Sequence, residues 1–208
     1  MLQSGNIFAH IVAFIVLLNP FALFVYLYPV VQQLPTRDFC RVLFKASFIS
    51  VVICFLFAFF GTPLFRYVFQ IHFEAFRIFG GVVLFALALM FIVGGKESFI
   101  SLKPDLDDVA AEIALPYMVG AGTISLSIVL GQSFSHALSA VGLVVAFAVN
   151  YGTVFTLLMI RNHLPTQNLR IAFDKIMGMT LRVNGFFVGA IGVNMIVTGI
   201  ASLLHHPL

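Results

Sequence analysis

Two interruptions in apolar sequence hold the candidate chemistry of this chain. Asn19-Pro20 and Gly120-Ala121-Gly122 each fall inside a stretch that otherwise reads as a membrane-spanning helix, at corresponding places in the two halves. Proline lacks an amide donor and clashes with the preceding turn, and paired glycines loosen the backbone, so both sites predict an opened helix ladder. In hydrocarbon, a freed amide or carbonyl must be satisfied by protein, ion or solute. Matched breaks in an internally repeated membrane protein point to a transport site. The polar residues expected near the bundle centre are Asn19, Thr123, Ser125, Ser127, Asn150, Thr153, Asn184 and Asn194. From these and the breaks, the candidate substrate-binding set is Asn19, Pro20, Gly120, Ala121, Gly122, Thr123, Ser125 and Asn150.

These residues supply neutral donors and acceptors. The N-terminal half-ends of broken helices can receive a carboxylate, and the C-terminal half-ends an ammonium or sodium ion. A small zwitterion fits such a site and a strongly charged solute does not. No Asp or Glu falls in the middle of a predicted span, which argues against a site for metal ions or polyamines. Glu74 and Asp174, close to helix ends, are the candidates for protonation. Enzyme chemistry finds no support, since HExxH, GxSxG, Walker A and a convergent carboxylate pair are all missing from the sequence. No cofactor is expected beyond a coupling ion, sodium or proton.

Plainer readings stand beside these. A proline kink can serve packing alone, and Asn150, Asn184 and Asn194 can be interhelical hydrogen-bond glue of about 0.6 kcal/mol each. Gly185 and Gly189 form a GxxxG that predicts a close helix contact, as do Gly80 and Gly81. Arg77 and Arg182 read as snorkelling anchors. His136, His205 and His206 read as solvated.

The elements that must hold these residues follow from composition. The chain is 61% hydrophobic and 9% charged, with a mean hydropathy of +1.09, far from the roughly 25% charged of a soluble domain. Apolar runs predict six spans, at 7–31, 42–61, 76–94, 114–132, 138–160 and 181–203. The stretch 62–73 reads either as a continuation of the second helix or as an interfacial segment. Nine basic residues flank loops one, three and five, whereas only Arg66 and Arg77 lie on the other side. The positive-inside rule then places both termini outside. Because the basic residues sit at helix ends without forming a patch, the net charge of +3 does not imply nucleic acid. Cys40 and Cys54 have no metal or redox spacing, and the first apolar run lacks the flanks of a cleaved signal, so it counts as a span.

A single membrane domain is expected, with repeat one at about 1–95, a cytoplasmic linker at about 96–112 and repeat two at about 113–208. The linker's Asp105, Asp107, Asp108 and Glu112 lack the glycine and ligand spacing of a calcium loop. Three helices per half means that the second half enters the membrane in the opposite sense. Arg77-Ile78-Phe79-Gly80 aligns with Arg182-Val183-Asn184-Gly185, and the same offset matches Val83 with Val188, Met90 with Met195 and Gly94 with Gly199. The fold class expected is therefore all-α: six transmembrane helices in two inverted three-helix repeats, the first and fourth helices broken.

Nearly end to end, the chain resembles the MarC family of integral membrane proteins, which includes archaeal small neutral amino acid transporters. Asn19-Pro20-Phe21-Ala22 and Phe76-Arg77-Ile78-Phe79-Gly80-Gly81 carry the likeness in the first half. Ala114-Leu115-Pro116, Gly120-Ala121-Gly122-Thr123-Ile124-Ser125 and the pattern from Arg182 to Gly199 carry it in the second. The resemblance implies six spans in two inverted repeats, a bacterial inner-membrane location and transport of glycine- or alanine-like solutes. Three positions depart from the family pattern. Ala121 stands where Gly-Pro-Gly is common, Ala22 replaces the glycine of Asn-Pro-Ile-Gly, and Val25 stands where a second proline is usual.

The function expected is secondary transport or export of a small neutral solute, such as alanine or glycine, by alternating access. Two alternatives remain: a non-transporting scaffold or partner subunit, and an ion or small-solute channel. Substrate, direction, coupling ion and oligomeric state are not legible in the sequence.

Overall fold

The computed structural model of the chain describes residues 6–93 and 106–205. Gly94, Lys96, Lys103, Asp105 and His206 lie outside the described residues. Among the described residues every regular element is helical: α1 Ile7–Leu18, α2 Pro20–Gln33, α3 Thr36–Pro63, α4 Phe73–Val93, α5 Leu106–Glu112, α6 Ala121–Ser133, α7 His136–His163 and α8 Gln167–His205. Wider π-helical turns at Leu64–Phe69 and Ile113–Met118 extend α3 and α5.

Local sequence sets the boundaries. The Asn6 side chain starts α1 by accepting from the Phe8 amide at 3.0 Å. Pro35 stands just before α3, where its missing amide breaks no helical bond, and the Ser135 hydroxyl caps α7 by accepting from Leu138. Beyond Pro63 the π turns run to Phe69, so the segment read two ways from sequence continues the second helix. Gln70 then reverses the chain at φ 53°.

Among the described residues five stretches are long and apolar enough to cross a membrane: Ile7–Leu27, Thr36–Gly61, Phe73–Val93, His136–His163 and Gln167–Leu204. The expected fourth span is not one helix. Its first part ends at Met118, and α6 begins only after the extended residues Val119 and Gly120. Two other boundaries move. The first loop shrinks to Leu34 and Pro35, placing Arg37, Arg41 and Lys45 inside α3. The last helix starts at Gln167, not Leu181, and its 39 residues extend about 58 Å at 1.5 Å per residue. That is nearly twice the ~30 Å of bilayer hydrocarbon.

The surface is patterned for lipid. Phe44, Phe48, Val52, Leu56 and Phe60 form an exposed row at four-residue spacing on α3, while Ser47, Ser50, Cys54 and Ala58 of the same helix are buried. Buried serines return their hydrogen bonds to the helix: Ser47 donates to the Leu43 carbonyl at 2.8 Å and Ser50 to Ala46 at 2.7 Å. Large apolar groups outside with small and polar groups inside is the arrangement expected where lipid replaces water.

Glycines bring α4 and α8 together. A Cβ built on Gly81 would lie 2.5 Å from the Gly192 carbonyl oxygen, and one on Gly192 would lie 2.8 Å from that of Gly81. Only glycine permits this backbone contact. Gly185 faces Ala88 and Gly199 faces Ile78, so the helices run antiparallel, and the small-residue contacts expected at 80–81 and 185–189 are present. Helix α7 packs on α1, with Gly142 against Ile7 and Ile11, and His10 meets Phe134 edge-on at 5.1 Å.

Candidate functional site

The first break is made by Asn19. Its backbone turns left-handed at φ 46°, a conformation that asparagine tolerates better than most side chains. The Asn19 amide closes α1 on the Ile15 carbonyl at 3.0 Å. Its side-chain oxygen accepts from the Ala22 amide at 3.0 Å, so one residue terminates α1 and caps α2. Pro20 occupies the first position of α2, where proline is favoured. Asn19 Nδ2 is buried and makes no hydrogen bond.

At the second break Thr123 does the stitching. Its hydroxyl accepts from the Gly120 amide at 3.0 Å and faces the carbonyls of Met118 at 3.2 Å and Gly120 at 3.0 Å as donor. Leu115 is non-helical upstream, and the first turn of α6 leaves amides without intrahelical partners. Ser127 donates to the Thr123 carbonyl at 2.7 Å. The Ser125 hydroxyl, in a residue only 3% exposed, has no partner.

Beside these breaks opens a cleft of about 1140 Å³ between α1, α4, α6 and α8. Leu17 of α1 and Gly122 and Ser125 of α6 line it, with Arg77 and Glu74 of α4 and Asn194 and Thr198 of α8. Leu84 ties the two breaks together from α4. Leu17, two residues before Asn19, packs on the cluster containing Leu84, and a Cβ on Gly122 would lie 2.6 Å from Leu84 Cδ1.

The predicted residues thus divide by position. Gly122 and Ser125 face the cleft. Gly120 and Thr123 hold the break closed at its edges, and Ala121 packs against Gly80. Asn19 and Asn150 are buried at 3% and 0% exposure. Asn150 stands in the middle of α7. Both atoms of its amide lack partners. Three predicted residues, Asn19, Ser125 and Asn150, therefore carry orphaned polar atoms in the interior, each costing roughly 1–3 kcal/mol.

Arg77 and Glu74 are expected near helix ends and lie outside the predicted substrate-binding set. The structure places both on the cleft wall. The signal was their i, i+3 spacing, which puts them on one helix face. Asp174, the other protonation candidate, is instead ion-paired with Arg161 at 2.8 Å and 3.0 Å. Among the described residues no group of His, Cys, Asp and Glu is arranged to hold a metal ion.

Known proteins share this chain's sequence along most of its length. A UPF0056 membrane protein of Pyrococcus horikoshii is 28% identical over 169 residues, covering 81% of this chain and 80% of that one. One from Aquifex aeolicus is 27% identical over 202 residues, covering 91% and 90%. The UPF0056 membrane protein YhcE of Escherichia coli K12 is 26% identical over 165 residues, covering 76% and 74%. No solved structure matches the chain. The model of the MarC family integral membrane proteins matches residues 5–204, and the chain belongs to that family.

Proposed function

We propose that this multi-pass membrane protein is a secondary transporter of a small neutral solute, most simply a small neutral amino acid, working by alternating access. One observation carries the reading. Both helix breaks adjoin a single cleft, lined by Leu17 beside the first and by Gly122 and Ser125 of the second, and the buried Ser125 hydroxyl on it has no partner. Folding alone gives no reason to keep such atoms, whereas a solute that hydrogen-bonds to them offsets their cost.

In this reading the chain spans the membrane six times in two oppositely oriented halves, and the broken fourth span is completed by α5 and α6. The element lengths favour it. An α2 of 14 residues leads through a two-residue connection to an α3 of 28, and an α6 of 13 leads through Phe134 and Ser135 to an α7 of 28. Charge supports both termini outside, since Arg37, Arg41, Arg161 and Arg170 lie on helix segments at the expected cytoplasmic side, and a bacterial inner-membrane location is what the family resemblance implies. Coupling by sodium or simple exchange suits a centre without carboxylates.

A scaffold is the second reading, favoured by the way Leu84 fills the space beside Gly122. Counterflow of labelled alanine or glycine in proteoliposomes separates the two. A transporter accumulates label saturably, and a scaffold gives none. Asn19→Gly is the matching variant. It keeps the left-handed backbone and costs only a few tenths of a kcal/mol at the cap, yet it should abolish counterflow by removing the side chain.

A further inference from the structure

We propose that Arg77 and Glu74 form a zwitterion-recognition pair on the cleft wall, Arg77 taking the carboxylate and Glu74 the ammonium of an α-amino acid with an uncharged side chain. This rests on the transport reading above and assigns the charged ends of its solute. Three observations carry it. First, both side chains line the cleft and stand on one face of α4, about 5–6 Å apart at Cβ, a span that the two ends of one amino acid can bridge. Second, neither is engaged in an ion pair among the described residues, although Arg41 with Asp38, Lys45 with Asp107 and Arg161 with Asp174 are all paired. Arg77 is half-buried and its charge interacts with that of Glu74 without an ion-pair contact, so both keep hydrogen-bonding capacity for a solute.

Third, neutral groups share the cleft with the pair. Ser125, its buried hydroxyl unpartnered, and Asn194 line it together with Arg77 and Glu74. The pair is neutral as a whole, so a solute with a third charge would leave one charge unmatched, a repulsive element that excludes lysine or glutamate.

The ethanolamine headgroup of a lipid shares this chemistry, and the test separates the two sources. The full chain is reconstituted in phosphatidylcholine vesicles, and labelled-alanine counterflow is competed by alanine, by alaninamide, which lacks the carboxylate, and by lactate, which lacks the ammonium. Wild type should prefer alanine to both by about tenfold or more. Arg77→Gln should weaken alanine to the level of alaninamide, and Glu74→Gln should weaken it to the level of lactate. Equal competition by all three compounds in wild type overturns the pair without needing either variant to fold. Wild-type competition ratios in both variants overturn it while leaving transport intact. Absence of counterflow in folded wild type removes the transport reading and this one together. Loss of alanine competition when ethanolamine lipid replaces choline lipid assigns the pair to the headgroup and overturns the proposal.

Discussion

Thr123 and Asn150 show opposite uses of a polar side chain in an apolar bundle. The Thr123 hydroxyl satisfies backbone groups on both sides of a break, so its role is structural. Thr123→Val removes those bonds without changing side-chain volume and should cost about 1–3 kcal/mol, read as a lower Tm in detergent. Thr123→Ser should recover most of it. Asn150 makes no bond with either amide atom, so its retention is unfavourable for stability. In the proposed transport reading the amide serves the solute and not the fold, so Asn150→Leu should leave Tm unchanged or raise it while abolishing counterflow. A large fall in Tm would instead show that Asn150 is packing glue. Both residues were legible as polar intruders in apolar sequence. Their division was not, because hydrogen-bond partners come from the chain's path through the break.

At the level of elements, proline and glycine carried most of the readable information. Asn19-Pro20 and Gly120-Ala121-Gly122 were legible as breaks because their backbone chemistry is local. The start of α8 was not. Residues 167–180 contain Arg170, Asp174 and Lys175 and read as a loop. They are helical because Phe173, Met177 and Leu181 form a row toward the core, with Phe173 edge-on to Phe24 at 5.9 Å, and because Asp174 pairs with Arg161. The widened turns after Glu112 were only partly legible: Pro116 signals the break, and it disfavours a helical conformation at Leu115, which is extended. The α4–α8 contact makes the sharpest prediction at this scale. A side chain on Gly192 would meet the Gly81 carbonyl oxygen at 2.8 Å and the Phe85 amide nitrogen at 3.0 Å, and neither backbone atom can rotate away. Gly192→Val should therefore cost about 1–3 kcal/mol, seen as a reduced Tm and reduced yield of folded protein. An unchanged Tm would mean that α4 and α8 do not pack this closely.

For the whole molecule, the proposed transport makes the cleft between α1, α4, α6 and α8 the path of the solute. Thr198 on its wall is half-buried, its hydroxyl donating to the Asn194 carbonyl at 2.7 Å, so Thr198→Cys keeps size and places a thiol in the path. The native thiols, Cys40 and buried Cys54, are first replaced by serine. In sealed vesicles of known orientation, a membrane-impermeant maleimide should label this cysteine, and saturating alanine or glycine should slow the labelling about tenfold, as expected when a bound solute occludes or shifts a two-state protein. Leucine-zipper-sized peptides or sucrose should give no protection. Labelling at one rate with and without every small neutral amino acid, in protein that remains folded, would contradict the account and leave the cleft as a lipid-filled groove between helices.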